Sequence, residues 1–325
     1  MGPHATADHG RGLPPRLHQD YKTSLQGAIL EPLHGKFGVS IGGLDLTSKL
    51  SDIQIEEITR LVHAHKVVVF PKTALDDAGQ EALVRRFGKI IPHPTVPSLE
   101  GTEAILDVDG TRGVRASSWH TDFSFVDAYS KFTFLRGHIV PARGGDTLFA
   151  DTVSAYEELP QQLRTLADHT WALHSNLYDY ARVGSRENRA FQDTPESKQH
   201  YEVFTHKEFQ TEHPLVHVHP ATGKRALILG HFIQKLVGYG AADSRRLLDI
   251  FHDHATSPEN TLRWKWSVGD LVIWDDRSTL HRAVDDYGDQ PRIVRRSTTW
   301  GEAPVSVDGR RSVPVLDGIP RSKAA

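Results

Sequence analysis

Ser118-Trp119-His120-Thr121-Asp122-Phe123-Ser124-Phe125 is the stretch on which the reading of this chain turns. A His-x-Asp triplet there leads directly into two phenylalanines, so it is expected to lie where a strand enters a core. Side chains at i and i+2 of a strand share a face, so His120 and Asp122 would converge on one metal ion. With 20 histidines in the chain the triplet alone says little, and His18-Gln19-Asp20 repeats it. That earlier copy sits among Gly, Pro and charged residues, where nothing would hold a ligand rigidly, and it reads as chance.

A third ligand must come from elsewhere in the chain. His281 is the candidate, in Leu280-His281-Arg282-Ala283 shortly after Gly269-Asp270-Leu271-Val272-Ile273-Trp274-Asp275. Two histidines and one carboxylate on one face of an octahedron leave three positions open, which suits non-haem Fe(II) activating O2. Zinc with the same ligands would favour a tetrahedron and hydrolysis. Arg292 and Arg296 decide between them. Four positions apart, they face the same side of a strand. A buried guanidinium without an anion loses much of its hydration energy, so the pair points to two bound anions beside the metal. For Arg296, pairing with a carboxylate from a neighbouring strand is the competing reading. Neither a zinc hydrolase nor a metal-free small-molecule-binding protein needs a second anion clamp.

The composition narrows the field further. Across 325 residues the net charge is −3, from 38 basic and 41 acidic side chains with no Lys/Arg block, which argues against nucleic acid or an anionic membrane as partner. No cysteine is present, so any metal must be held by His and carboxylates. Val67 to Phe70 is the longest apolar run near the front, far short of a membrane span, and Met1 to Pro15 has no apolar stretch fit for a secretory signal. A cytoplasmic enzyme, forming a homo-oligomer and acting on a small molecule, is expected. Gly2 and Thr6 fit the loose N-myristoylation pattern, but Pro3 and the missing polybasic anchor favour a plain tail.

Residues 1–25 read as a disordered lead-in, 26–305 as one mostly β domain with helices on its outside, and 306–325 as a loosely attached C-terminal tail. Ile55, Ile58, Leu61 and Val62 recur at helical spacing behind Ser51 and Asp52, and the β-branched run from Lys66 to Phe70 follows as a buried strand. Further helices are expected from Asp76 and Asp77 to Gly88, near Ser154–Asp168 and near Asp243–Ala255.

Taken together, Trp119-His120-Thr121-Asp122, Gly144-Gly145-Asp146-Thr147, the Gly269–Asp275 segment, His281, Arg292 and Arg296 resemble the taurine dioxygenase and 2,4-dichlorophenoxyacetate dioxygenase family of Fe(II)/2-oxoglutarate enzymes. The resemblance runs from Leu30 to Val305 and implies a double-stranded β-helix, or jelly roll. It also implies His120, Asp122 and His281 as iron ligands, Arg292 with Thr147 on the distal carboxylate of the cosubstrate 2-oxoglutarate, and O2 as oxidant. Arg296, His93 and the backbone N–H of Phe123 match positions that hold the anionic group of a small organic substrate. Taurine enzymes place a Tyr and an Asn around the amine where this chain has Val96 and Ala116, so the anion grip is kept and the amine grip is lost. Trp171-Ala172-Leu173-His174-Ser175-Asn176, Pro258-Glu259-Asn260-Thr261 and His281–Tyr287 are similar to the alkylsulfatase branch, which implies an alkyl sulfate oxidised to aldehyde and free sulfate. A sulfonate, or a carboxylate such as an aryloxyalkanoate or a natural-product intermediate, is the alternative substrate.

Overall fold

The computed structural model describes residues 23–110, 115–178 and 195–320. The first His-x-Asp triplet and the Gly2–Thr6 pattern lie outside them. Strands β1 (Ile29–Pro32) and β2 (Val39–Gly42) lead into helix α1 (Asp52–His65). Ser51 starts that helix with a reciprocal capping box, its hydroxyl accepting from Gln54 N at 3.3 Å while Gln54 Oε1 accepts from Ser51 N at 2.8 Å. Lys66, at φ +66°, ends it and turns the chain into β3 (Val67–Phe70), so this residue caps the helix and does not begin the strand. Helix α2 (Asp77–Arg85) is capped by Asp76.

The remaining elements follow in order: β4 (Ile90–Ile91), β5 (Leu106–Asp109), β6 (Phe132–Ile139), β7 (Thr147–Asp151), α3 (Thr152–Glu158), α4 (Gln161–Asp168) and β8 (Trp171–Ser175). After them come α5 (Pro195–Phe204), β9 (Lys207–Pro214), β10 (Val216–Val218), β11 (Arg225–Leu227), β12 (Ile233–Leu236) and α6 (Ala241–Ala255). The chain closes with β13 (Thr261–Trp264), β14 (Leu271–Asp275), β15 (Thr279–Ala283), β16 (Ile293–Thr299) and β17 (Val313–Pro320). The single helix expected over Ser154–Asp168 is two helices. Pro160 forces Leu159 into an extended conformation, ψ 144°, and breaks the run.

The main sheet has the order β1-β2-β3-β14-β6-β16-β4, with β5 also on β16, and a second sheet β13-β7-β15 faces it. The two-residue period of its strands assigns each side chain to one of two cores. Val68, Phe70, Leu271, Ile273, Phe132 and Phe134 pack under α1 and α2. Their alternates Val67, Val69, Val272, Trp274, Leu135 and Val294 face Phe149, Leu262 and Trp266 of the other layer. On β16 the same alternation points Arg295 towards Asp77 of α2 and Arg296 into the interior. The fold is a jelly roll.

The tail expected to be loosely attached is built in. Strand β17 pairs antiparallel with β9 to complete a four-stranded sheet, β12-β8-β9-β17, because the edge of β9 away from β8 still offers backbone partners, and Ser306 bridges to His217. At the other end Leu25 is already buried in the α1 core. No helix among the described residues is long and apolar enough to cross a membrane.

Three histidines away from the β7/β15 end are buried and held neutral. Burial lowers His213 to about 3 and His65 and His217 to about 4 from the ordinary 6.5. An unfolded chain protonates these rings near 6.5 while the folded chain refuses the protons until pH 4 or below. Between those values the unfolded state binds more protons, so stability falls as the pH falls. Thermal unfolding followed by circular dichroism should show Tm dropping steadily from pH 6.5 to 4; a flat profile over that window would contradict the neutral burial.

Candidate metal centre and its cavity

Two backbone hydrogen bonds, His120 N to His281 O and His281 N to His120 O, both 3.0 Å, join the segments that carry the two histidines. That isolated antiparallel bridge sets their rings side by side, with centroids 4.2 Å apart. Asp122 does not follow on the same strand, as the sequence reading expected. The chain enters a turn at Asp122, and Phe123 takes φ +57°, a conformation that costs a bulky residue about 1–2 kcal/mol. The carboxylate converges because the backbone folds back, not because of strand periodicity.

His120 Nε2 lies 3.8 Å from Asp122 Oδ1 and His281 Nε2 lies 3.9 Å from Asp122 Oδ2, and one ligand atom from each of the three falls within 4.8 Å of the others. His120 Nδ1 donates to Ser118 O at 2.8 Å, which leaves the Nε2 lone pair for a metal. Burial holds both imidazoles below their ordinary pKa, in the neutral form that ligates. Burial opposes the charge on Asp122, but Arg296, His281 and His120 outweigh it and keep the carboxyl below the usual range. Arg296 Nη1 donates to Asp122 Oδ1 at 2.5 Å and its guanidinium lies over the Phe123 ring at 4.9 Å. The competing pairing of Arg296 with a carboxylate is thus realised, through one of its five N–H donors. Two imidazole nitrogens and a carboxylate gathered on one side fit a divalent iron.

A second pole lies at the start of β7. Gly144 and Gly145 take φ +75° and +73°, and a side chain at Gly145 would stand 2.9 Å from Arg292 Cδ. That close approach lets Gly145 O accept from Arg292 Nε at 2.7 Å. Arg292 Nη2 stands 3.5 Å from Thr147 Oγ1, which also accepts from Trp266 Nε1 at 2.9 Å, so the threonine proton is left for another acceptor. Arg292 is 4% exposed, and no carboxylate among the described residues forms an ion pair with it.

His93 forms the third pole. Its Nδ1 accepts from Thr95 N at 3.1 Å and Val96 N at 3.0 Å, which places the proton on Nε2. Burial and the nearby Arg296 keep the ring neutral, and it packs edge-on against Phe123 at 5.0 Å. A cavity of about 460 Å³ joins the three poles, touching His93, His120, His281, Thr147, Arg292 and Arg296. Val96, Ala116, Leu99, Leu106, Leu135, Val294 and Phe204 give it apolar walls. Asp122 and Phe123 reach it through Arg296, to which the one is bonded and on which the other packs.

Sequence reasoning missed the residues that orient these groups. Trp266, Thr133, Trp274 and Asp276 carry no spacing signal of their own. Only the adjacent carboxylates Asp275-Asp276 at the end of an apolar strand hinted at an unusual environment.

Residues 30–298 match the family model for the taurine catabolism dioxygenase TauD, TfdA family. The chain is 48% identical over 284 residues to the α-ketoglutarate-dependent sulfate ester dioxygenase of Pseudomonas putida, covering 87% of this chain and 93% of that one. It is 45% identical over 288 residues to the alkylsulfatase of Acinetobacter baylyi, covering 88% and 89%. The solved structure of a taurine dioxygenase from Burkholderia xenovorans superposes with a TM-score of 0.74 at 30% identity, covering 90% of this chain and 97% of that one.

Replacing Gly145 with Ala forces a Cβ into Arg292 and Pro141 at a φ of +73°. The variant should lose about 1–3 kcal/mol of stability, read as a lowered Tm, whereas Gly223→Ala, also at positive φ but with nothing within 4 Å, should lose less. Equal losses would show that only the backbone conformation matters at Gly145.

Proposed function

Because this chain belongs to the TauD/TfdA family of dioxygenases, we propose that it is an Fe(II)- and 2-oxoglutarate-dependent dioxygenase hydroxylating the sulfate-bearing carbon of an alkyl sulfate ester. The hydroxylated ester then loses its hydroxyl proton and its C–O bond to sulfate, giving an aldehyde and free sulfate. The observation that carries this reading is one cavity that touches two buried guanidinium groups, Arg292 and Arg296, and both histidines of the imidazole–carboxylate cluster, with apolar side chains along its wall. The 48% and 45% identity to a sulfate ester dioxygenase and an alkylsulfatase supports it.

His120, Asp122 and His281 would hold the iron, which together with 2-oxoglutarate and O2 supplies the oxidising power for breaking a C–H bond. Arg292 and the free Thr147 proton would receive the distal carboxylate of 2-oxoglutarate. This ion pair would be strong because the guanidinium is desolvated and has no carboxylate partner among the described residues. Arg296 keeps donors beyond the one spent on Asp122, and with His93 Nε2–H and the Phe123 N–H they would receive the sulfate oxygens. Val96 and Ala116 offer nothing to an ammonium group, and Leu99, Leu106, Leu135, Val294 and Phe204 give an alkyl chain apolar surface, although Glu100, Asp107 and Asp109 also reach the cavity.

Succinate formation should be far faster with hexyl sulfate than with taurine. Each buried CH2 contributes about 0.8 kcal/mol, so a few methylenes separate the two by roughly a hundredfold or more. Comparable yields from taurine would sink the assignment, and preference for an aryloxyacetate would install a carboxylate substrate in its place.

Arg292→Ala should raise the 2-oxoglutarate requirement by more than about thirtyfold, from the roughly 2–5 kcal/mol lost when one partner of a desolvated pair is removed. Co(II) binding to the same variant should stay unchanged. Normal 2-oxoglutarate affinity would mean that another group clamps it.

A further inference from the structure

Thr133 Oγ1 stands 3.1 Å from Asp122 Oδ2 and 2.6 Å from Asp276 Oδ2, and all three residues are buried. A hydroxyl has one proton, so it can donate to only one of the two carboxyl groups. The other contact is a hydrogen bond only if that carboxyl brings a proton of its own. Asp122 already accepts from Arg296 and faces two imidazole Nε2 atoms, so it is the ionised partner. Among the described residues the Asp276 carboxyl has no cation as a hydrogen-bond partner; its partners are Thr133, Ser130 and Trp274 Nε1, the last at 2.8 Å from Oδ1.

We propose that Asp276 is an un-ionised carboxylic acid that positions two of the three metal-ligating side chains. Its O–H donates to Thr133, which in turn donates to Asp122 Oδ2 and fixes the rotation of that carboxylate. Its other oxygen holds the Trp274 indole, whose ring packs against His281 with centroids 4.6 Å apart. One acid thus reaches Asp122 through a hydroxyl and His281 through an indole. Burial and the neighbouring Asp122 charge also push the Asp276 carboxyl well above the ordinary range. The inference rests on the reading of His120, Asp122 and His281 as a metal site.

The test uses the full-length chain stripped of metal and titrated with Co(II), followed by its visible absorption. Asn in place of Asp276 supplies a permanent N–H donor to Thr133 and a carbonyl acceptor for Trp274, so Asp276→Asn should bind Co(II) within a few-fold of the unchanged chain. Asp276→Ala should weaken it by about 10- to 100-fold, the usual effect of losing a group that orients a ligand. Thr133→Val keeps the shape and removes the hydroxyl that joins Asp276 to Asp122, leaving the Trp274 contact in place; it should weaken binding similarly, and Thr133→Ser should restore it. The unchanged protein should also show the infrared carbonyl stretch of a protonated acid at neutral pH, lost in Asp276→Asn. If Asp276→Asn binds as weakly as Asp276→Ala, the acid is ionised and the inference falls. Normal Co(II) binding by Thr133→Val overturns the link to Asp122 even if Asp276→Ala fails to fold. Failure of the unchanged chain to bind Co(II) would instead overturn the metal reading, and this inference with it.

Discussion

A carboxylate removed from water survives only where surrounding groups replace its hydration, and Asp122 is such a group at 2% exposure. Its oxygens take a guanidinium N–H from Arg296 and a hydroxyl from Thr133, and two neutral imidazoles stand within 4 Å. Much of the interior geometry follows from that requirement. Arg296 must be on the inner face of β16, Thr133 on the inner face of β6, and the His120–His281 bridge must bring two separate segments together at the same depth. The positive φ of Phe123 belongs to the same constraint, because a turn that swings Asp122 inward leaves the next residue in a disfavoured conformation.

The same physics separates the two arginines. Arg296 is anchored on a protein carboxylate, which fixes the direction of its guanidinium. Arg292 is held by a carbonyl and a hydroxyl, neutral groups that orient a guanidinium without neutralising it. One cation is thus internally compensated and the other is left to be neutralised by a ligand. The consecutive glycines at 144 and 145 serve this arrangement, since only a backbone without Cβ lets the carbonyl approach Arg292 so closely.

Around these groups the jelly roll is an ordinary solution to burial. Alternate side chains of β3, β6 and β14 serve a helix-covered core and an intersheet core, and where that alternation reaches β16 it delivers charge in place of hydrophobe. Helix α2 collects the outward charges, with Asp77 paired to both Arg136 and Arg295. The inward ones remain for the cavity.

Much of this was legible in the residues alone. Local rules determine that Ser51 caps a helix, that Val67–Phe70 is a buried strand, and that residues four apart on β16 share a face. Those rules, with the absence of cysteine, are enough to nominate His120, Asp122, His281, Arg292 and Arg296. What sequence could not supply was everything that depends on chain segments meeting. The route of Asp122 through a turn, the pairing of the last strand with β9, the break at Pro160 that outweighed helical spacing, and the placing of the Thr133 hydroxyl between Asp122 and Asp276 were decided by the tertiary structure. The physical reason is range: periodicity and capping act within a few residues along the chain. Hydration of a buried charge, by contrast, is replaced by whichever atoms the completed fold places within about 3 Å, however far apart they lie in the sequence.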